Sequence, residues 1–225
     1  MRLLLLALVL VLGTGTPGLT DPDPPRILVM GDSFMTSNGS SQQSFSHALR
    51  RGLNAFVKST AVTGAMYVYR LPITGVVGLN ITKQYRKGSW DYVVMNGGGN
   101  DLWLGCGCMR CAKRMARLIS PDGTAGLIPD TVRQARAGGA RVIYLGYLRS
   151  PGLGSPIEHC KDEGAALEAR LRNMARRDSG VSFVSLADLV PQGDRSFHAL
   201  DLIHPSPKGS AAAAARVIKL IQSLE

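Results

Sequence analysis

Ser33 closes the run Ile27-Leu28-Val29-Met30-Gly31-Asp32-Ser33, which sets a hydroxyl at the tip of a buried strand. Near the other end of the chain, Asp201-Leu202-Ile203-His204-Pro205 supplies an imidazole with a carboxylate three residues before it. On one tight turn that carboxylate reaches the ring. A neutral imidazole, with a free-solution pKa near ~6.5, accepts a hydroxyl proton at neutral pH, and the carboxylate fixes its tautomer and stabilises the imidazolium. Between the two lies Gly98-Gly99-Asn100-Asp101, just after the apolar run Tyr92-Val93-Val94-Met95. The Asn100 amide is a donor for a developing oxyanion. Taken singly, each has a plainer role: Ser33 as a helix N-cap, Asn100 as a turn residue, His204 as a loop histidine. Taken in order, they are a nucleophile, a donor, an orienting acid and a base, the parts of acyl transfer through a serine. Asp194 and His198 form a second, looser pair that ranks below, and His47 and His159 are expected to be structural. Ser33 has Gly31 before it but Met35 after it, so the Gly-x-Ser-x-Gly elbow of a different hydrolase class is absent.

These residues need strands to carry them. Apolar runs predict strands over Ile27 to Met30, Met66 to Tyr69, Tyr92 to Asn96, Arg141 to Leu145 and Val181 to Val184. All but the second are continuous, as suits parallel strands covered on both faces. Helical spacing predicts helices over Ser44 to Lys58, Leu79 to Arg86, Ala112 to Ile119, Leu127 to Ala137, Ile157 to Arg177 and Pro207 to Leu224. Gly138-Gly139 ends one helix and Pro207 suits the first turn of another. The alternation implies an α/β chain, a three-layer α/β/α sandwich on a parallel sheet of about five strands. Such sheets build their sites above the carboxyl ends of the strands. The long, glycine-rich segment Gly97 to Gly126 is the expected insertion or wall of the site.

The chain has 225 residues and 45% hydrophobic content, ordinary for one folded domain. Met1-Arg2 followed by Leu3 to Leu12 reads as a secretory leader, one positive charge and then an apolar stretch too short to span a bilayer. The expected organisation is therefore a signal over residues 1–20 and one domain over 21–225, in a secreted or periplasmic protein. The Gly13-Thr14-Gly15-Thr16-Pro17-Gly18 match to a dinucleotide fingerprint falls in that leader and follows no strand. The formal charge is +10, and removal of the leader leaves +9, with 25 basic residues against 16 acidic. Scattered basic pairs such as Arg50-Arg51 and Arg176-Arg177, without interleaved aromatics, argue against nucleic acid. They suit a solvated surface or peripheral contact with an anionic envelope.

Four cysteines, Cys106, Cys108, Cys111 and Cys160, favour two disulfides in an exported protein. A Cys106–Cys108 bridge is disfavoured by its two-residue separation. Cys160 is then expected to pair with one of the clustered three. The rival is a zinc site built from all four, but the spacing lacks paired two-residue knuckles. No metal is expected.

In these blocks the chain resembles the SGNH (GDSL-type) hydrolase superfamily from Arg26 to Leu224. The resemblance rests on Gly31-Asp32-Ser33, Gly98-Gly99-Asn100-Asp101 and Asp201-Leu202-Ile203-His204-Pro205. It implies the flavodoxin-like SGNH fold, with Ser33 as nucleophile, Asp201 and His204 as its partners, and an oxyanion hole of the Ser33 amide, a glycine amide and Asn100. The glycine is carried to Gly78, although Leu79 and Ile81 replace the small polar residues usual after it. The implied activity is an esterase without a cofactor, acting on a small-molecule, lipid or glycan ester, and the chain is expected to be a monomer. Phe34, Met35 and Trp103 are the candidate substrate contacts. An acyltransferase on envelope polysaccharide and a non-catalytic envelope-binding module are the alternatives.

Overall fold

The computed structural model describes residues 23–69, 75–152 and 154–224. The expected leader and its glycine motif lie outside the described residues. Five strands, β1 (Arg26–Met30), β2 (Phe56–Ser59), β3 (Tyr92–Met95), β4 (Arg141–Leu145) and β5 (Val181–Val184), form one parallel sheet in the order β2-β1-β3-β4-β5. Ile27 pairs with Val57 on one side and with Tyr92 on the other. Successive side chains of a strand point to opposite faces. Ile27 and Val29 therefore enter one core with Phe45 and Leu49 of α2 (Phe45–Leu53) and Val217 and Ile221 of α7 (Pro207–Gln222). Leu28 and Met30 enter the other, with Leu118 of α4 (Ala112–Leu118), Ile128 of α5 (Leu127–Ala137) and Leu171 of α6 (Lys161–Ala175). Both faces are covered, and the chain is the three-layer α/β/α sandwich that the blocks imply. Among the described residues no helix is long and apolar enough to cross a membrane.

The second strand is displaced from its sequence expectation. Asn54 adopts a left-handed conformation (φ 48°) and caps α2, so the chain leaves the helix early and β2 starts at Phe56. Only Val57 of that strand is buried, as befits an edge. The run Met66 to Tyr69 is no strand. The Asp101 carboxylate takes the amides of Tyr67 (2.9 Å) and Val68 (2.8 Å), and Met66 makes a lone bridge to Asn80. The helix expected over Leu79 to Arg86 shrinks to a 3-10 turn at Ile81–Lys83, capped by the Asn80 side chain. Two short helices, α1 (Ser33–Thr36) and α3 (Gly99–Cys106), were not expected and begin within the chemical blocks themselves.

The four cysteines pair as Cys106–Cys111 and Cys108–Cys160, which leaves no thiolate for the zinc alternative. The first closes the turn between α3 and α4. The second joins that turn to the residue before α6, across a separation of 52 residues against 5 for the first. Loop-closure entropy then assigns about 4 kcal/mol to the long bridge and about 2 kcal/mol to the short one. The double variant Cys108→Ser/Cys160→Ser is expected to lose roughly twice the stability of Cys106→Ser/Cys111→Ser, as measured by denaturant unfolding.

Candidate active site

The site begins where β1 ends. Gly31 has φ +140°, and a Cβ there would lie 1.8 Å from Asn96 Oδ1, so no larger residue fits. Its amide donates to Gln84 Oε1 (2.7 Å) and its carbonyl accepts from Gln84 Nε2 (2.9 Å). Asp32 follows, buried, and caps α1 by accepting from the Phe34 amide (3.0 Å). Asn96 at the end of β3 accepts from the Asp32 amide and donates to its carboxylate, both at 3.2 Å. Tyr147, beyond β4, donates its hydroxyl to Asp32 Oδ2 (2.5 Å) and accepts from the Gly99 amide (3.2 Å). Burial pushes the Asp32 carboxyl above its usual range, against the hydrogen bonds of Tyr147, Phe34 and Asn96 and the nearby His204. Ser33 is thereby the first residue of α1. Its carbonyl accepts from the Ser37 amide (2.9 Å), while its own amide donates to no acceptor among the described residues.

Asn100, the second residue of α3, donates one amide hydrogen to the Ala65 carbonyl (3.1 Å). The amide group carries two, so the other remains for the cavity. Its neighbour Asp101 points inward instead. Burial raises the Asp101 carboxyl above its usual range, against hydrogen bonds from Tyr67 and Val68 and the charge of Arg114.

The third piece is the loop before α7. His204 Nδ1 lies 2.5 Å from Asp201 Oδ2, and Asp201 Oδ1 accepts from the Ile203 and His204 amides at 3.0 Å each. Partial burial works to raise the Asp201 carboxyl, but these three hydrogen bonds and the histidine charge hold it below the usual carboxylate range. The loop is pinned from two sides. Asn38, just beyond α1, donates to the Pro205 carbonyl and to Ser210 Oγ, both at 3.0 Å, and Ser155 Oγ donates to the Leu202 carbonyl (2.8 Å).

Ser33, Asn100 and His204 line one cavity of about 370 Å³, and Phe34 and Trp103 share its wall. No hydrogen bond joins the Ser33 hydroxyl to the His204 ring, a contact that in free enzymes often tightens only around substrate. Two expected residues fall elsewhere. Met35 is buried in the core beneath α2 and does not line the cavity. Gly78 is also outside it, because its amide closes a turn onto the Gly75 carbonyl (3.3 Å) and its carbonyl accepts from Gln84 (2.8 Å). Asp194 caps a 3-10 turn and does not bond to His198, which is buried under the loop with both ring nitrogens unpartnered. His47 bonds to Ser44 Oγ (2.7 Å) at the start of α2. Sequence reasoning missed Asn38, Gln84, Asn96 and Tyr147. Only Asn96 left a signal there, as a polar residue ending an apolar run.

A serine at a strand tip, a bonded Asp-His pair and a half-free amide donor on one parallel sheet are the parts of a serine hydrolase of the SGNH class. The profile of the GDSL-like Lipase/Acylhydrolase family matches residues 29–212, and the chain belongs to that family of ester hydrolases. Among solved structures, an SGNH hydrolase from Slackia heliotrinireducens is similar at 22% identity, with TM-score 0.65 over 88% of this chain and all of that one. TesA is similar at 21% identity, with TM-score 0.63 over 89% of this chain and 99% of that one. A family two carbohydrate esterase from Clostridium thermocellum, in complex with cellohexaose, is similar at 20% identity, with TM-score 0.61 over 92% of this chain and 66% of that one. At these identities the likeness is one of fold. Among curated protein sequences, no match to this chain is found.

Asn38 is the direct tether between the turn after Ser33 and the loop of His204. Its backbone is left-handed (φ 62°), so glycine removes the side chain without strain. Asn38→Gly leaves the Pro205 carbonyl without that donor, at about 1–3 kcal/mol. The expected outcome is a fall in kcat larger than any change in KM, with Tm lowered by several degrees. Steady-state kinetics and thermal unfolding on the same sample measure both.

Proposed function

We propose that the protein is an exported serine esterase in which Ser33 attacks the ester carbonyl. The observation that carries this reading is the shared cavity, onto which Ser33, the Asp201-bonded His204 and the half-free amide of Asn100 all open. With Nδ1 held by Asp201, His204 presents Nε2 as the base. It takes the Ser33 proton as the Oγ–carbon bond forms, and the carbonyl electrons move onto oxygen. That oxyanion is met by the Ser33 amide and the Asn100 side chain. Collapse breaks the bond to the alcohol, which leaves with the proton from His204. A water then repeats the sequence on the acyl-enzyme and frees the acid.

Neither Gly64 nor Gly78 is part of the cavity wall, but the Gly78 amide is spent on the Gly75 carbonyl, so the second backbone donor is assigned to Gly64. Thr63 shares a hydrogen bond with Thr36 of α1 (2.8 Å), and the Ala65 carbonyl holds Asn100 (3.1 Å), so Gly64 lies between the nucleophile's helix and the side-chain donor. Its amide donates to no acceptor among the described residues. The cavity is several times the size of an acetyl group, and Leu102, Leu148, Ile157 and Leu167 in its wall favour a short- or medium-chain acyl group. Trp103 in the same wall favours an acylated sugar as the second reading, consistent with the fold shared with a carbohydrate esterase. The two disulfides support residence in an oxidising compartment, and the +10 charge supports contact with anionic surfaces.

Purified enzyme is expected to hydrolyse p-nitrophenyl butyrate, Ser33→Ala to abolish turnover, and Asn100→Ala to lower kcat by about 100- to 1,000-fold. Ser33→Ala enzyme that turns over at the wild-type rate would overturn the assignment. Rates across an acyl-chain series, set beside acetylated sugars, separate the two substrate classes.

A further inference from the structure

The cavity extends past Ser33 to a wall that bond cleavage does not use. Arg149, in the loop after β4, lines it and lies across α6, with its side chain 25% exposed. Its Nη2 is 3.2 Å from Glu168 Oε1 in an ion pair, yet Arg149 makes no hydrogen bond to any described residue. Glu168 is buried at 3% exposure. Its other oxygen accepts from Arg172 Nη2 (2.9 Å) and Ser185 Oγ (2.9 Å), and no aligned donor reaches Oε1. One carboxylate therefore faces two guanidinium groups, Arg149 in the cavity wall and Arg172 outside it, and the N–H groups of Arg149 are left without an aligned acceptor. Asp32, Glu158 and Lys161 also line the cavity.

The helix is shaped for this arginine. Gly164 is the fourth residue of α6, a position where glycine is a poorer helix former than alanine. A Cβ on it would lie 2.7 Å from Arg149 Nη1. Glycine lets the guanidinium rest on the helix backbone. Glu168, one turn further on, anchors it from the side. A guanidinium presents five N–H donors in a planar fork that matches the oxygens of a carboxylate or phosphate.

We propose that Arg149 is a specificity-determining residue that grips an anionic oxygen group, a carboxylate or phosphate, borne by the ester substrate away from its scissile bond. Glu168 and Gly164 are its positioning residues. The inference rests on the esterase reading. It names that site's substrate class as anionic esters and not plain acyl chains.

The test compares mono-p-nitrophenyl glutarate, which carries a free carboxylate, with p-nitrophenyl butyrate. Arg149→Gln is expected to lower the ratio of their kcat/KM values by about 10- to 100-fold, the scale of a charge-assisted hydrogen bond. Gly164→Ala displaces the guanidinium without removing it and is expected to lower the same ratio while Tm holds or rises. Glutarate and inorganic phosphate, added as competitors of butyrate hydrolysis, tell carboxylate from phosphate. The one that inhibits the wild type is expected to inhibit Arg149→Gln about 10- to 100-fold more weakly. An unchanged ratio in both variants, with inhibition equally unchanged, overturns the proposal. If the wild type hydrolyses neither ester, it is the esterase reading that fails. Calorimetric titration of Ser33→Ala protein with glutarate and with phosphate, with and without Arg149→Gln, still decides the role of Arg149.

Discussion

A carboxylate sealed from water must find donors, and Asp32 finds them on three separate segments. The start of α1, the end of β3 and the loop after β4 each send one hydrogen bond to it. A buried charge left short of partners costs more than an ordinary lost contact. The three segments are therefore held in one arrangement, and that arrangement puts Ser33 at the head of a helix with its amide free. The specificity of Gly31 follows from the same junction, since Asn96 occupies the space where a side chain would go.

Strand order explains why this junction and Asn100 meet at one crevice. The chain runs from β1 outward to β2, then returns to the other side of β1 as β3. Loops leaving β1 and β3 part in opposite directions and open a crevice between the strand ends, where open α/β sheets bind ligands. Ser33 leaves β1 and Asn100 follows β3. The Asp201–His204 loop arrives from the end of the chain, directly before α7, and is fastened to the nucleophile's side by Asn38.

Much of this was legible in the residues. β1, β3, β4 and α5 fall where apolar runs and helical spacing set them, because those elements are buried or strongly two-faced and their patterns are clean, and the half-buried β5 is marked by its apolar Val181, Phe183 and Val184. The paired Asp201 and His204 were legible from spacing alone. The edge strand was not, since β2 leaves three of its four side chains exposed and its Lys58 reads as the end of a helix. The segment Met66 to Tyr69 misled for a complementary reason. Tyr67 and Val68 are buried as in a strand, but a distant aspartate takes their amides. Misplacing that strand set Gly75 and Gly78, and not Gly64, directly after it. Gln84, with its side chain on the Gly31 backbone, depends on a contact 53 residues away and has no local pattern.

The bridge between Cys108 and Cys160 has a consequence for how the protein matures. Both residues line the substrate gorge, one from the turn after α3 and the other from the residue ahead of α6. Neither cysteine lies in the sheet or in the turn that carries Ser33. The gorge's two sides, however, are fastened to each other covalently only after oxidation. In a reduced chain those sides are joined by packing and hydrogen bonds alone, so oxidation of one thiol pair fixes the spacing of the cavity's walls.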